Sequence, residues 1–428
     1  MPSWPIPTVS AAERVAQAHR NTVGDPAAVA DAPATYPVIG EHVDHYGGAV
    51  VMGLSSLRAA VAYSPRADGR VTITAHYPGA HPVTDEISDE DIRQRAAQQQ
   101  PGVDDHGHPT VAPVPVGGAA ARVGGLVWTL IHRQLLSRDT GGLDVTVVND
   151  IPRGVGLGAD AAVDAALALA LQAGDEDIDQ APARARLAET CSQSNEMFSA
   201  FPPLRARHTA ALRGLGESVS VLDYADGSVT QAPHPVDSEH RAFLVGLPER
   251  RQPDHSPGVD TVRRHRRFVE DACKAFGAES LRLLPDAPGR VLDWLRAVHQ
   301  VRGTDGTPTV AEAAGWLNFD ETETRRVVLT ARALRSRRGE DIGSLLAESQ
   351  RQLHPLLGVD ACDELAALCR SRGAVAARAT AAGLASGVWA LVPARAAANF
   401  AADLVDDGLL VVELHRGERA AVLTPASA

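Results

Sequence analysis

A chain of 428 residues is long enough to divide into two domains, each with its own core. Its 41 basic against 53 acidic side chains leave a net charge of −12, which argues against nucleic acid as a partner. The most apolar helical run, residues 161–173, is interrupted by Asp164 and too short to cross a bilayer, so no membrane partner is expected either. The opening residues lack a basic stretch followed by an apolar one, and Cys191, Cys273, Cys362 and Cys369 lack metal-ligand spacing, which together read as a reduced, cytoplasmic protein.

In chain order, residues 11–30 read as a helix. Residues 57–64 and 71–77 are β-rich runs joined by a Pro-Arg-Ala-Asp-Gly-Arg turn, a hairpin pattern. Residues 78–118 are rich in Pro, Gly, Asp, His and Gln and read as a mobile surface excursion, broken by a short helical piece at 89–100. Within it, Asp104, Asp105, His106 and His108 form a polar cluster that reads as solvated, with metal binding as the alternative. A buried helix follows at 119–136, a strand at 143–148, a second apolar helix at 161–171 and a strand at 218–224. Beyond Pro233 charged helices dominate to about Gly373, and the run from Arg263 to Arg267 (RRHRR) reads as the wet face of one of them. A strand at 388–392, a helix at 393–404 and a strand at 409–414 close the chain. Interleaved helices and strands in both halves imply an α+β class, and no internal repeat is apparent.

Two constellations carry chemistry. Residues 32–48 (APATYPVIGEHVDHYGG) pack Glu41, His42 and Asp44 between an Ala-Pro entry and a Gly-Gly exit. Three hydrogen-bonding side chains within four residues suit a ligand covered in hydroxyls. Residues 149–162 (NDIPRGVGLGADAA) follow a strand and open a helix, the geometry that aims backbone N–H groups and a helix dipole at an anion.

The first segment resembles the sugar-binding signature of galactokinases, members of the GHMP kinase superfamily, A-P-G-R-V-N-L-I-G-E-H-T-D-Y-N-G-G. The second resembles that family's phosphate loop, P-L-G-x-G-L-S-S-S-A-A. A third, residues 191–208 (CSQSNEMFSAFPPLRARH), is similar to C-Q-x-x-E-N-x-F-x-G-x-P-x-G-I-M-D-Q, and a fourth, residues 377–392 (ARATAAGLASGVWALV), to A-R-M-T-G-G-G-F-G-G-x-V-I-A-L-V. His255 with Arg263 and Arg264, the Leu281-Arg282 pair and Asp363-Glu364-Leu365 extend the resemblance over nearly the whole chain. It implies a two-domain GHMP kinase fold, with an N-terminal α/β domain over residues 1–225, a helix-rich α+β domain over 226–428 and a cleft between them.

By the same resemblance, Glu41, His42, Asp44 and Gly47 are sugar-binding, and Gly154, Gly156, Leu157, Gly158 and Asp160 bind nucleotide. ATP and Mg²⁺ are the implied cofactors, and a monosaccharide such as galactose is the implied partner. The departures are equally specific. The family's catalytic arginine is Thr35 here, and its catalytic aspartate is Arg207, in a register fixed from both sides. Gly158, Ala159 and Asp160 replace the loop's three serines, and four of the five glycines of the C-terminal motif are alanine or serine. Asp160 reads as a helix N-terminal acid, a repellent for nucleotide or an Mg²⁺ ligand; Arg207 is placed to pair with Asp44 or Glu41. A lost general base costs about 10²–10⁴ in rate, and a lost transition-state donor about 10²–10³. The leading expectation is therefore a catalytically impaired galactokinase homologue acting as a sugar sensor or regulatory partner of another protein. The alternatives are an active atypical sugar kinase, with Arg207 stabilising phosphate charge and Asp160 holding Mg²⁺, and an interaction scaffold without a ligand.

Overall fold

A computed structural model describes residues 4–423, apart from 101, 104–108, 111, 203, 248–256 and 359–361. The Asp104–His108 cluster and His255 therefore lie outside the described residues. Helix α1 (Ala11–Thr22) starts at a capping box in which Ser10 and Glu13 satisfy each other's backbone N–H groups. It ends eight residues earlier than the sequence suggests. Gly24, at φ 132°, and Pro26 break it, and the Ala-rich segment beyond enters strand β1 (Ala28–Ile39), which is buried along its whole length. Burial on both faces overrides the helical preference of alanine there.

β1 pairs antiparallel with the long β2 (Ala49–Arg66), with register shifts at Pro33/Ala34 and Pro37/Ile39 where proline interrupts the ladder. β3 (Arg70–His76) and β4 (Val83–Ser88) form a hairpin, and α2 (Asp89–Gln98), capped by Ser88, buries Ile92 and Ala96. The segment expected to be a surface excursion thus supplies a sheet edge and its supporting helix. The two-residue strands β5 (Gly102–Val103) and β6 (Pro109–Thr110) pair with each other. Helix α3 (Ala119–His132) leads to β7 (Gly142–Asn149), which runs parallel to β3 and antiparallel to β2.

Helices α4 (Ala159–Leu171), α5 (Ala181–Phe198) and α6 (Arg205–Arg213) follow, then the hairpin β8 (Ser218–Asp223) and β9 (Val229–Pro233). Strand β10 (His240–Gly246) lies in a region the sequence reads as helical; its short, fully buried Ala242–Gly246 run carries no alternation to reveal it. Helices α7 (Pro257–Phe276), α8 (Ala287–Arg302), α9 (Val310–Arg335), α10 (Gly339–Leu357) and α11 (Asp363–Ser371) come next. The chain closes with β11 (Ala376–Ala379), β12 (Gly387–Pro393), α12 (Ala397–Asp406), β13 (Leu410–Glu413) and β14 (Ala421–Leu423).

The result is the expected α+β architecture: an eight-stranded sheet ordered β14-β1-β2-β7-β3-β4, with β8 on β2 and β9 on β8, and a four-stranded sheet ordered β11-β12-β10-β13. The first sheet takes β9 and β14 from beyond residue 225, so strands on both sides of that boundary build one layer. The sheets share a core in which Tyr36 of β1 stacks on Trp389 of β12, ring centroids 6.1 Å apart. Among the described residues no helix is long and apolar enough to cross a membrane.

Candidate functional site

The sugar signature forms the turn between β1 and β2. Gly40 has φ 102°, and a Cβ there would lie 2.6 Å from Val327 of α9, so only glycine fits. His42 takes a left-handed conformation, φ 64°. Glu41 is buried; Oε1 accepts from the Ala382 N–H at 2.9 Å and Oε2 accepts from Arg378. Arg378 also donates to Ser349 Oγ at 2.8 Å and to Glu323 Oε1 at 3.1 Å, and Glu323 accepts from Arg326 at 2.6 Å. Two carboxylates and two guanidiniums thus alternate in the interior, and Glu41 belongs to that network. His42 Nε2 lies 3.3 Å from the Ala381 carbonyl, and burial pulls its pKa down to about 3.

Asp44 has different surroundings. Its carboxylate is buried, with His45 Nε2 at 3.7 Å and Arg266 at 3.8 Å, both beyond hydrogen-bond reach. Burial alone would raise its pKa, but the positive charge of His45, Arg266 and Arg205 outweighs that and holds it well below the carboxylate range. Together with Gly47, it lines a cavity of about 430 Å³. Within the RRHRR run on α7, His265 and Arg266 are buried rather than wet, and His265 bonds Asp320 at 2.8 Å. At 100° per residue, five consecutive positions cannot share one helix face.

The two family catalytic positions face each other. Arg207 donates from Nη1 to the Thr35 carbonyl at 2.6 Å and to its Oγ1 at 3.2 Å, and from Nη2 to the Gly156 carbonyl at 2.7 Å. It pairs with neither Asp44 nor Glu41; its hydrogen bonds go to β1 and the phosphate loop. Burial lowers its pKa to about 10, with Glu41 opposing, so it stays a cation at neutral pH.

That loop is tied down carbonyl by carbonyl. Gly154 O accepts from Ser386 N and Oγ at 3.0 Å, Val155 O from Thr380 Oγ1 at 2.8 Å, Gly156 O from Arg207, and Leu157 O from Thr35 N at 3.0 Å. Planar peptide units are oriented once their carbonyls are held. Gly158, at φ 69°, is the N-cap of α4, and a Cβ there would sit 2.7 Å from Thr35 Oγ1. The loop faces the C-terminal motif, where Ala381 and Ala382 adopt left-handed conformations, φ 50° and 48°, in place of the family's glycines.

Asp160 is largely exposed and pairs with Arg122 at 2.7 Å, whose Nε donates to Asp164 at 3.0 Å. A carboxylate held against a guanidinium fits an Mg²⁺ ion poorly, and among the described residues no three metal-ligating side chains come together. Asp160 also sits in the first turn of α4, the place expected of a helix N-terminal acid. Sequence reasoning also missed Glu323, His45, Glu270 and Ser280. Helix spacing hides their convergence, although Glu323 and Arg326 sit at i and i+3 and Arg378 is part of a quoted motif.

Residues 17–65, covering the second half of α1, β1, the turn and most of β2, match the galactokinase galactose-binding signature. The galactokinases of Homo sapiens, 25% identical over 82% of this chain and 79% of theirs, and of Streptomyces coelicolor, 26% identical over 86% of each, are similar along most of their length. The relatives this chain resembles are galactokinases. The fold agrees. A Lactococcus lactis galactokinase complexed with galactose superimposes with a TM-score of 0.71 at 15% identity, covering 96% of this chain and 99% of that one. A Methanococcus jannaschii mevalonate kinase does so at 0.54 and 11% identity, covering 91% and 98%.

Proposed function

We propose that this galactokinase-like chain has lost phosphoryl transfer, binds a monosaccharide such as galactose, and acts in the cytoplasm as a sensor or regulatory partner of another protein. The observation that carries this is Arg207. Where the family places a general base, this side chain has no acceptor and spends its donors on Thr35 and Gly156. No carboxylate replaces it at that position. The phosphate loop keeps its strand–turn–helix form but offers backbone alone at Gly158 and Ala159, and Asp160 is neutralised by Arg122. ATP with Mg²⁺ is the family's cofactor pair, and the side chains present supply neither the loop hydroxyls nor a free metal-binding carboxylate. The retained Glu41, His42, Asp44 and Gly47 support a sugar ligand.

One observation favours an active atypical kinase: the Arg207 cation lies against the phosphate loop, where it could offset phosphate charge. Galactose-dependent ADP formation that disappears in Asp160→Ala would select that reading. The test of the main proposal is a calorimetric titration of galactose into the protein with Mg-ATP present. Saturable heat without turnover is expected. Sustained heat proportional to protein would overturn the loss of catalysis, and a flat trace would overturn the sugar ligand in favour of a scaffold.

A further inference from the structure

Helix α9 has two faces of opposite character. The inner one reaches both ends of the signature turn. Glu323 accepts from Arg378, which also bonds Glu41, and a Cβ on Gly48 would lie 2.6 Å from Thr324 Oγ1, as one on Gly40 would from Val327. The outer face presents Arg325, Val328, Leu329, Arg332 and Arg335, all exposed. At about 100° per residue they fall within about 120° of the helix circumference. The segment 325–338 (RRVVLTARALRSRR) holds six arginines and no acid, in a chain of net charge −12. Arg326 is buried and paired with Glu323; the other five are exposed. Among the described residues Arg325, Arg332 and Arg337 form no ion pair. Arg335 donates to Thr230 Oγ1 and the Gln231 carbonyl of β9, at 3.1 and 3.3 Å, and Arg338 pairs with Asp341 at 3.3 Å. A helix C-terminus attracts cations, which accounts for Arg332 and Arg335 in the last turn. It does not account for Arg325 further up the helix, or for Val328 and Leu329, 37% and 40% exposed among the guanidiniums.

We infer that this outer face of α9 is a docking surface for an acidic, amphipathic segment of a partner protein, its carboxylates on the arginines and its apolar side chains on Val328 and Leu329. Charge complementarity sets the first half of that description. Unpaired guanidiniums call for carboxylates or phosphates, which they grip through two parallel bonds. The apolar pair decides between them, because a phosphate backbone offers it nothing, whereas protein interfaces join arginine to apolar side chains. The net charge of −12 also opposes a long polyanion or an anionic membrane. A short acidic segment stays over the patch, since the field of exposed charges fades within about 8 Å at physiological salt. The inference rests on the reading of the chain as a regulatory partner and gives that reading a place. Docking on the outer face and sugar binding beside the inner face act on one helix, and linkage makes any bias between them mutual.

The test uses a fluorescent amphipathic helical peptide of glutamate and leucine, with its lysine–leucine counterpart, single-stranded polyuridylate and phosphatidylserine vesicles as competing probes. Each is titrated into the full chain, into the double variant Arg325→Glu with Arg332→Glu, and into Leu329→Ser. Thermal unfolding checks that the variants are folded, and Arg325→Ala with Arg332→Ala replaces the charge reversal if it is not. Saturable binding of the acidic peptide to the parent chain is expected, weakened at least about tenfold by the charge reversal and several-fold by Leu329→Ser. Equal binding to all three proteins, or none to the parent, would overturn the docking face and leave the regulatory reading to the galactose titration. Tighter binding of polyuridylate or vesicles, lost in the double variant, would overturn a protein partner. Galactose is then titrated with and without saturating peptide. A changed affinity supports the coupling through α9. Peptide bound on α9 with galactose affinity unchanged would uphold the docking face and overturn the regulatory reading.

Discussion

Arg378 and Glu323 make the interior of this protein unusually dependent on charge balance. Arg378 bonds both Glu41 and Glu323, and all three are buried. Removing one partner of such a network leaves a charge without compensation, which typically costs about 3–5 kcal/mol. Arg378→Met is expected to lower stability by that amount in urea unfolding, and adding Glu41→Gln should recover part of the loss because the amide oxygen still accepts from Ala382. A loss below about 1 kcal/mol would show that the pairs are solvent-screened. Arg207 acts differently. It forms hydrogen bonds to backbone carbonyls, so Arg207→Leu should cost about 2 kcal/mol from the unsatisfied Thr35 and Gly156 oxygens, measured the same way.

At the level of elements, the phosphate loop and the turn after β11 hold each other. Thr380 and Ser386 bind loop carbonyls, and a Cβ on Gly156 would collide with the Thr380 hydroxyl. Ala381 and Ala382 carry left-handed backbone where an L-residue pays about 1–2 kcal/mol. Ala382→Gly should therefore raise stability by about 1 kcal/mol once the entropy of glycine is subtracted, read as a higher denaturation midpoint; a fall would mean that the methyl group packs productively. Restoring the family pair with Thr35→Arg and Arg207→Asp should still give no galactose-dependent ADP, because the loop hydroxyls remain absent. Detectable turnover there would show that the loop is competent.

The motif-bearing elements were legible in the sequence because their spacing is local: β7, α4, the signature turn and β12 lie close to where composition puts them. β10 was not, since a strand buried on both faces has no alternation to read, and β1 was hidden by alanines that favour helix until a sheet claims them. The site was half legible. The residues of the signature were read from the sequence, but Arg378 of β11, which bonds Glu41, and Arg266 of α7, which faces Asp44, lie more than 200 residues away, and no spacing rule reaches that far.

For the whole molecule, the shared core makes stability depend on pH. Burial depresses His42 to about 3 and His234, which bonds Tyr36 at 3.1 Å beneath the Trp389 ring, to about 4. The unfolded chain takes up these protons near pH 6.5 and the folded chain does not, so stability falls as pH drops from about 6.5 toward 4. At pH 5 each histidine contributes a loss of about 2 kcal/mol. Asp320 and Glu196, whose proton affinity burial raises, return part of it. Urea midpoints should therefore fall between pH 7 and pH 5, and equal midpoints would mean that the two imidazoles are hydrated.

The same buried frame holds Arg207 against the phosphate loop, and the most direct measurement is of product. Galactose and Mg-ATP are incubated with the protein at substrate-level concentration, and ADP and galactose phosphate are quantified against a galactose-free control. Arg207 in place of a base requires no galactose-dependent product. Formation of both products in equal amounts, rising with protein concentration, would contradict it and make this chain a working kinase.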